Sequence, residues 1–524
     1  MAREEIIKLI QKATGEKPEK IKVEQPGDVS HGDYSTNIAL QLKKDPTEIA
    51  RKLKSGIFEK VEVAEPGFIN FFLSKEFLQK QVEGILKQGE KFGQLKIGKN
   101  KKTQVEFISA NPTGPLHIGN GRGAFFGDTL ANILEKAGYK ITREYYINDA
   151  KANTQIKTLG QTALGRGTTY LNSYLQEKIL NLKSKILNLR DGGEAGYLLA
   201  QEIQKDTKDF IENKLKIKFN SRVSEEDLYK KNKVDKIYNW LKSKNFVYQK
   251  EGAWWIKTAQ FGTPPTLLPP ASRAPTQDWV IIRSQAEGGE PTYLLSDIAY
   301  HKDKFDRGFK KIIDIWGADH QGHVGKIKAV AKMLNYKGDL DILISQVVRL
   351  KKGKISKRKG EVVALEWLID EVGLDAARFF YLMKSLDTQM EFDVELAKEK
   401  SEKSPVYYIQ YAHTRICGIL RKVKHPTSNI KHLTLLNHPS ELGLIKQLIR
   451  FPEIIEDTAK DYQVQRIPQY AIDLATSFHQ FYRDCRVISD DENLSRARLG
   501  LILATQTVLK NALNLMGVSA PEKM

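Results

Sequence analysis

A chain of 524 residues is too long for one ordinary hydrophobic core, so roughly two to four domains are expected. Its 41% hydrophobic and 28% charged residues exclude a disordered chain, and a net charge of +19 points to polyanionic partners, nucleic acid first. The two cysteines, Cys417 and Cys485, lie far apart, which argues against a disulfide scaffold or a cysteine zinc site, and no apolar run approaches the roughly 20 residues of a membrane span.

Residues 1–95 mix helical spacing (Ile6, Leu9, Ile10) with short strand patterns at 61–63 and 68–73. The amino end is charged and amphipathic and has no signal-peptide core, so a cytoplasmic protein is expected. The stretch Gly-Asp-Tyr-Ser-Thr-Asn at 32–37 reads as a turn leading into a helix, and the Lys- and Gly-rich run 96–102 as a linker. From about 103 to 150 the order is strand (105–108), turn, helix (119–137), strand (140–147), the opening of a parallel β-α-β fold. Residues of about 155–260 interrupt it with mostly helical, lysine-rich sequence. Within them 178–182 reappears as 185–189, read here as one amphipathic helix, and 254–256 is strand-like. Five prolines between 263 and 275 require an exposed loop. Strand patterns at 279–282, 311–316 and 342–348 are expected to continue the parallel sheet, and everything beyond about 400 is helical.

Two motifs bear chemistry. Asn111 to Asn120 reads Asn-Pro-Thr-Gly-Pro-Leu-His-Ile-Gly-Asn, a proline-glycine turn between a strand and a helix. A helix N-terminus offers free N–H groups and partial positive charge, so it can hold phosphate, with His117 within reach. Far along the chain comes Lys354-Ile355-Ser356-Lys357-Arg358, in a segment, 301–360, that carries 16 Lys/Arg against 6 Asp. Taken alone, that loop is equally a solvated basic face. The paired motifs make a nucleotide site the stronger reading.

These residues resemble the arginyl-tRNA synthetase family of class I synthetases, whose signatures are His-Ile-Gly-His and Lys-Met-Ser-Lys-Ser. Here they stand as His117-Ile118-Gly119-Asn120 and Lys354-Ile355-Ser356-Lys357-Arg358. Longer matches begin at Val105, Tyr293, Trp316 and Tyr407 and include the final ten residues; 155–275 match least. The resemblance implies an α/β protein. A Rossmann-like parallel-sheet catalytic domain (103–395) would lie between an α+β N-terminal domain (1–95) that contacts the tRNA elbow and an all-α anticodon-binding bundle (400–524).

It also implies ATP-dependent ligation of L-arginine to tRNA(Arg) by a monomer with no membrane attachment. Mg²⁺ would enter only with ATP, and no metal site is expected in the protein. The family pattern places His117, Asn120, Lys354 and Lys357 in catalysis, and Gly114, Gly119, Asp319, His320 and Ser356 beside them on ATP. It places Glu106, Ser109, Asn111, His117, Tyr293, Asp297 and Gln321 around arginine, and Tyr34, Asn37, Tyr408, Gln410, Tyr411 and Arg415 on tRNA. The chemistry agrees. Attack of a carboxylate on the α-phosphate calls for positioning and charge stabilisation rather than a protein nucleophile, and an always-charged guanidinium requires carboxylate acceptors. Asn120 departs from the family's second histidine: it keeps a donor but cannot carry charge. A tRNA-binding relative without activity, or a nucleotidyltransferase of the same fold, are the alternatives.

Overall fold

The computed structural model describes residues 1–261, 277–351, 363–423 and 432–524. The proline-rich loop 263–275 and Lys354, Ser356 and Lys357 lie outside the described residues. The chain forms two compact units, one of residues 96–398 and one combining 1–95 with 399–524.

The first unit is built on five parallel strands: β1 (Lys102–Glu106), β2 (Lys140–Ile147), β3 (Ser221–Ser224), β4 (Lys311–Gly317) and β5 (Asp339–Ser345), in the order β5-β4-β1-β2-β3. The order reverses between β1 and β4, so a crevice opens at their carboxyl ends, where α/β sheets bind ligands. Three helices frame it: α1 (Ile118–Lys136), α2 (Tyr293–Asp306) and α3 (Val324–Met333). α1 can lie close on β1 because Gly127 faces the Phe107 ring, where a Cβ would come within 2.3 Å.

Three expectations are corrected and one is extended. The segment 155–260, mostly helical as expected, also returns Ser221–Ser224 to the main sheet as its edge strand. Edge position tolerates its polar residues, and Arg222 covers the Tyr145 ring at 5.2 Å. Trp279–Ile282 does not join the parallel sheet; it completes an antiparallel three-stranded sheet with Val247–Lys250 and Ala253–Ile256. The repeat at 178–189 is not one helix but two, Ser173–Asn181 and Lys183–Ile186, broken at Leu182. Leu182 and Ile186 are buried, whereas Leu180 and Leu187 are 67% and 69% exposed, so the repeat makes no continuous apolar stripe. The segment 32–37 holds a short strand, Tyr34–Thr36, ahead of helix Ile38–Leu42.

In the second unit Tyr34–Thr36, Phe68–Leu73 and Phe58–Ala64 form an antiparallel sheet, with Phe68–Leu73 in the centre. The carboxyl-terminal part is helical, chiefly Pro405–Arg421, Pro439–Asp461, Arg466–Asp484 and Glu492–Met516. Polar contacts join the two ends of the chain: Arg3 pairs with Glu456 (2.9 Å) and Asp457 (2.8 Å), and the Gln79 amide donates to Leu436 O (3.0 Å). Among the described residues, no helix is long and apolar enough to cross a membrane.

Candidate active site

After Glu106 the chain leaves β1 through two left-handed residues, Ile108 (φ 69°) and Ser109 (φ 38°), so the expected strand at 105–108 ends early. For a β-branched residue this backbone costs about 1–3 kcal/mol and marks a geometry held by its surroundings. The Ser109 hydroxyl donates to Glu106 Oε1 (2.9 Å) and accepts from Tyr146 N (3.1 Å). Its role is thus to hold Glu106 and the loop in place. Asn111 emerges exposed at the crevice.

The turn that follows caps α1. His117 Nδ1 accepts from Gly119 N (3.0 Å), and Asn120 Oδ1 accepts from His117 N (2.9 Å). This reciprocal cap explains how asparagine serves at a position where the family carries histidine, since it needs an acceptor here. With Nδ1 accepting, the imidazole proton sits on Nε2, free to donate outward. Burial pulls the His117 pKa below its usual value, with the Asp319 charge opposing, so the ring is neutral near pH 7. Asn120→Ala should cost about 1 kcal/mol of stability by removing the cap; chemical denaturation that finds no change would show that the cap contributes nothing.

The end of β4 faces the same turn. Asp319, close enough to act on His117, lies 3.4 Å from His320 Nε2 across an exposed pair, and Gln321 is exposed. Tyr293, 55% exposed at the start of α2, has its hydroxyl 2.7 Å from His323 Nε2. Burial, then Lys326 and His320, hold His323 down to about 4, so it is neutral. The stretch following the second motif also returns here: Val363 O accepts from Ile118 N (3.0 Å), and Ala364 bridges His117.

Behind the turn, three carboxylates stand abreast across the sheet, with Glu106 on β1 in register with Glu144 on β2 and Asp314 on β4. α2 and Arg307, the residue that follows it, neutralise them. Lys304, fully buried, pairs with Glu106 (2.5 Å) and Asp314 (2.8 Å); Arg307 pairs with Glu144; and His301 Nε2 lies 3.1 Å from Asp314. Glu106 was expected as an arginine acceptor, but its Oε2 is turned inward onto Lys304.

One turn before His301, Asp297 is different. It is half-buried, and among the described residues no donor or cation pairs with its carboxylate. Burial first, then the charges of Glu225 and Glu106, push it up to about 8. Glu225, at the start of the helix after β3, is buried and accepts from Ser296 Oγ (2.7 Å) and Asn153 Nδ2 (3.0 Å). The Tyr146 hydroxyl, in the field of Glu225, Asp297 and Glu106, is buried with no partner. Sequence reading missed Lys304, Glu225 and Tyr146. None lies in a motif that announces chemistry, and it is folding that brings β2, β3 and α2 together around Asp297.

Family models match along the chain: "Arginyl tRNA synthetase N terminal domain" at 1–73, "tRNA synthetases class I (R), catalytic domain" at 81–161 and 171–416, and "DALR anticodon binding domain" at 409–524. The arginine–tRNA ligase of Caldanaerobacter subterraneus is 41% identical, covering 100% of this chain and 99% of that protein; the Bacillus subtilis ligase is also 41% identical, over 96% and 94%. The chain belongs to the arginyl-tRNA synthetase family. A solved putative arginyl-tRNA synthetase from Campylobacter jejuni superposes with a TM-score of 0.74 at 32% identity, covering 86% of this chain and 100% of that one. The Thermus thermophilus arginyl-tRNA synthetase shares the fold, with a TM-score of 0.77 at 21% identity and full coverage of both chains. The α/β class I architecture with a helical DALR domain is therefore that of this synthetase family.

For an arginyl-tRNA synthetase, the expected RNA-facing residues are unevenly placed. Tyr34 is a correction: it is 1% exposed, and its hydroxyl donates to Glu453 Oε1 (3.0 Å), which makes it an internal strut. Asn37 is half-buried just before its helix, and its Oδ1 accepts from the Gln41 side-chain amide instead of a backbone N–H. Tyr408, Gln410, Tyr411 and Arg415 are half-buried along Pro405–Arg421. Tyr408 lies against His479, the Arg415 guanidinium sits 4.8 Å from both the Tyr411 and Tyr482 rings, and Gln410 donates to Ser519 O. Of these tyrosines Tyr411 thus meets a cation, whereas Tyr408 packs on a histidine ring. No metal-binding cluster of His, Cys, Asp or Glu exists among the described residues.

Proposed function

We propose that this chain activates L-arginine with ATP and transfers it to tRNA(Arg), releasing pyrophosphate and AMP, in the crevice between β1 and β4. The observation that carries the reading is the convergence of three features on one turn. They are the open amino end of α1 with His117 Nε2 free to donate, the Asp319–His320 end of β4, and Val363–Ala364, six residues after Lys357 in the chain.

ATP phosphates would lie on the α1 amino end, with Gly114, Gly119 and the His117 Nε2–H around them and Asp319 and His320 near the nucleoside. Asn120 acts through the cap, fixing the turn rather than meeting phosphate itself. Lys354 and Lys357 would neutralise the charge that moves onto pyrophosphate as the arginine carboxylate attacks the α-phosphorus, with Ser356 beside them. Mg²⁺ would arrive on ATP and supply charge at its phosphates.

Arginine would extend its guanidinium to Asp297 past Tyr293, its α-amino and carboxylate end held by Asn111 and Gln321. The half-buried, unpaired Asp297 supports this: a carboxylate in such a place calls for a cation. Residues 1–95 and 400–524 would hold the elbow and anticodon of tRNA, and the enzyme would work as a cytoplasmic monomer. Charging purified tRNA with each amino acid labelled in turn should give product with arginine alone. Tight tRNA binding without product would instead support a silent relative.

A further inference from the structure

Resting on the function proposed above and deepening it, we infer that Arg122 and Tyr381 are positioning residues for arginine activation. They fix the amino end of α1 against the strand that precedes Lys354 in the chain. That strand, Val348–Leu350, is paired in parallel with Met390–Phe392. The loop before Met390 is bound to it as well: Gln346 N donates to Leu386 O (3.0 Å), and Met390 N donates to Val347 O (3.0 Å). At the other end Lys351 N donates to Phe392 O (2.9 Å), and the Lys351 ammonium pairs with Asp393 (2.8 Å).

Two side chains carry α1 onto this strand pair. The Arg122 guanidinium, two residues past Asn120, donates to Ser385 O in the loop. The Tyr381 hydroxyl, from the helix Leu374–Leu382 just before that loop, donates to Ile118 O (2.7 Å). One bond is given by α1 and the other received by it, so the two pieces of chain are held at two points. The approach is close, for a Cβ on Gly121 would stand 3.1 Å from the Tyr381 hydroxyl and 2.8 Å from Leu365 Cδ1. Leu365 N in turn donates to Leu116 O (2.8 Å), and Ile118 N to Val363 O (3.0 Å). The chain before the second motif and the chain after it are thus both tied to residues 116–122.

Arg122 distinguishes this joint from ordinary packing. It is 1% exposed, it forms no ion pair among the described residues, and its Nε and Nη1 have no partner. A buried charge in that state is costly, and an apolar side chain of similar length would commonly be as stable or more so. Stability therefore does not account for it, whereas alignment of the two motifs does. The lysines of one and the donors of the other must meet the same phosphates, and a displacement of about 1 Å can lower a rate about 100-fold.

Arg122→Met removes the bond and the charge, and Tyr381→Phe removes only a hydroxyl. With arginine and tRNA present, kcat for ATP–pyrophosphate exchange should fall about 30-fold in the first and about fivefold in the second. KM for arginine and for tRNA should stay within about threefold, because the loss belongs to the transition state. The denaturation midpoint of Arg122→Met should stay level or rise. Arg122→Lys, which keeps a charged donor, should recover most of the lost rate. If Arg122→Met does not fold, Tyr381→Phe decides. An unchanged kcat in the deciding variant, or a slower one accompanied by lost stability and a rise in every KM, overturns the joint while leaving the ligase reading intact. Failure of the unmodified enzyme to charge tRNA with arginine is the separate result that removes the ligase reading itself.

Discussion

Asp297→Asn should raise the arginine KM by roughly two to three orders of magnitude, the cost of breaking a desolvated charge pair from one side. The effect is large because Asp297 has nothing to fall back on. Among the described residues its carboxylate has no donor or cation, so the guanidinium would be its only partner. Asparagine keeps the shape and one acceptor oxygen, which leaves the fold and the ATP side of the crevice in place. KM for ATP should therefore move by no more than about twofold. A KM for arginine that stays within a factor of about three would take Asp297 out of the pocket.

If Asp297 receives the guanidinium, arginine binding should depend on pH. Folded Asp297 titrates at about 8, against 3.8 for the free group. A raised pKa means that the bound proton stabilises the fold fully below about pH 3.8, and that this contribution fades as pH rises through 8. Arginine bound at Asp297 would take the proton's place, so binding would expel it. The groups facing Asp297 set this value: Glu225 and Tyr229 after β3, Glu106 on β1, Tyr146 on β2, Tyr293 and Lys304 on α2, Asp314 on β4 and Lys326 on α3. The arginine dissociation constant should fall about tenfold per pH unit between pH 6 and 8, then level off. Calorimetry in buffers of different ionisation heat should register about one proton released at pH 6.5, and Asp297→Asn should abolish both effects. A flat profile in the unmodified enzyme would mean that Asp297 is already ionised when arginine arrives.

Much of this site is legible in the chain because its chemistry is local. Strand, proline-glycine turn and helix follow one another directly in the sequence at 102–136, and Asp297 is reached through a continuous motif. What was not legible depends on burial. Lys302 and Lys304 look alike on α2, yet Lys302 is half-buried and pairs with the exposed Asp306, whereas Lys304 turns to the opposite face and is fully buried. Ser221–Ser224 has no apolar run to mark it as a strand, because an edge position asks for none. Trp279–Ile282 has the run, but side-chain pattern cannot tell which sheet it will join. Tyr34 looked like a surface aromatic until Glu453, more than 400 residues away, supplied its partner.

Lys304→Met should be the most destabilising single change outside the pocket, by about 3–5 kcal/mol, because it leaves buried carboxylates without their counter-charge. The side chain is nearly the same size, so the loss is electrostatic and not a cavity. Glu106 and Asp314 stand on adjacent strands in register, and among the described residues Lys304 is the one cation that touches both. Without it they repel each other inside the fold, and Asp314 keeps only His301. Lys304 and then His301 hold Asp314 below the usual carboxylate range against its burial. That contribution is present above pH 3.8 and is lost as pH falls through the lowered folded value.

In the variant the carboxylates can escape repulsion only by taking protons, so the stability gap between variant and parent should narrow as pH falls from 7 towards 5. A gap that is constant with pH, measured by chemical denaturation, would point to packing instead of charge. Because Glu106 is held by both Lys304 and Ser109, the variant should also bind arginine more weakly wherever it remains folded. Pairing from within thus accounts for the three acids that stand in register on the sheet, Glu106, Glu144 and Asp314.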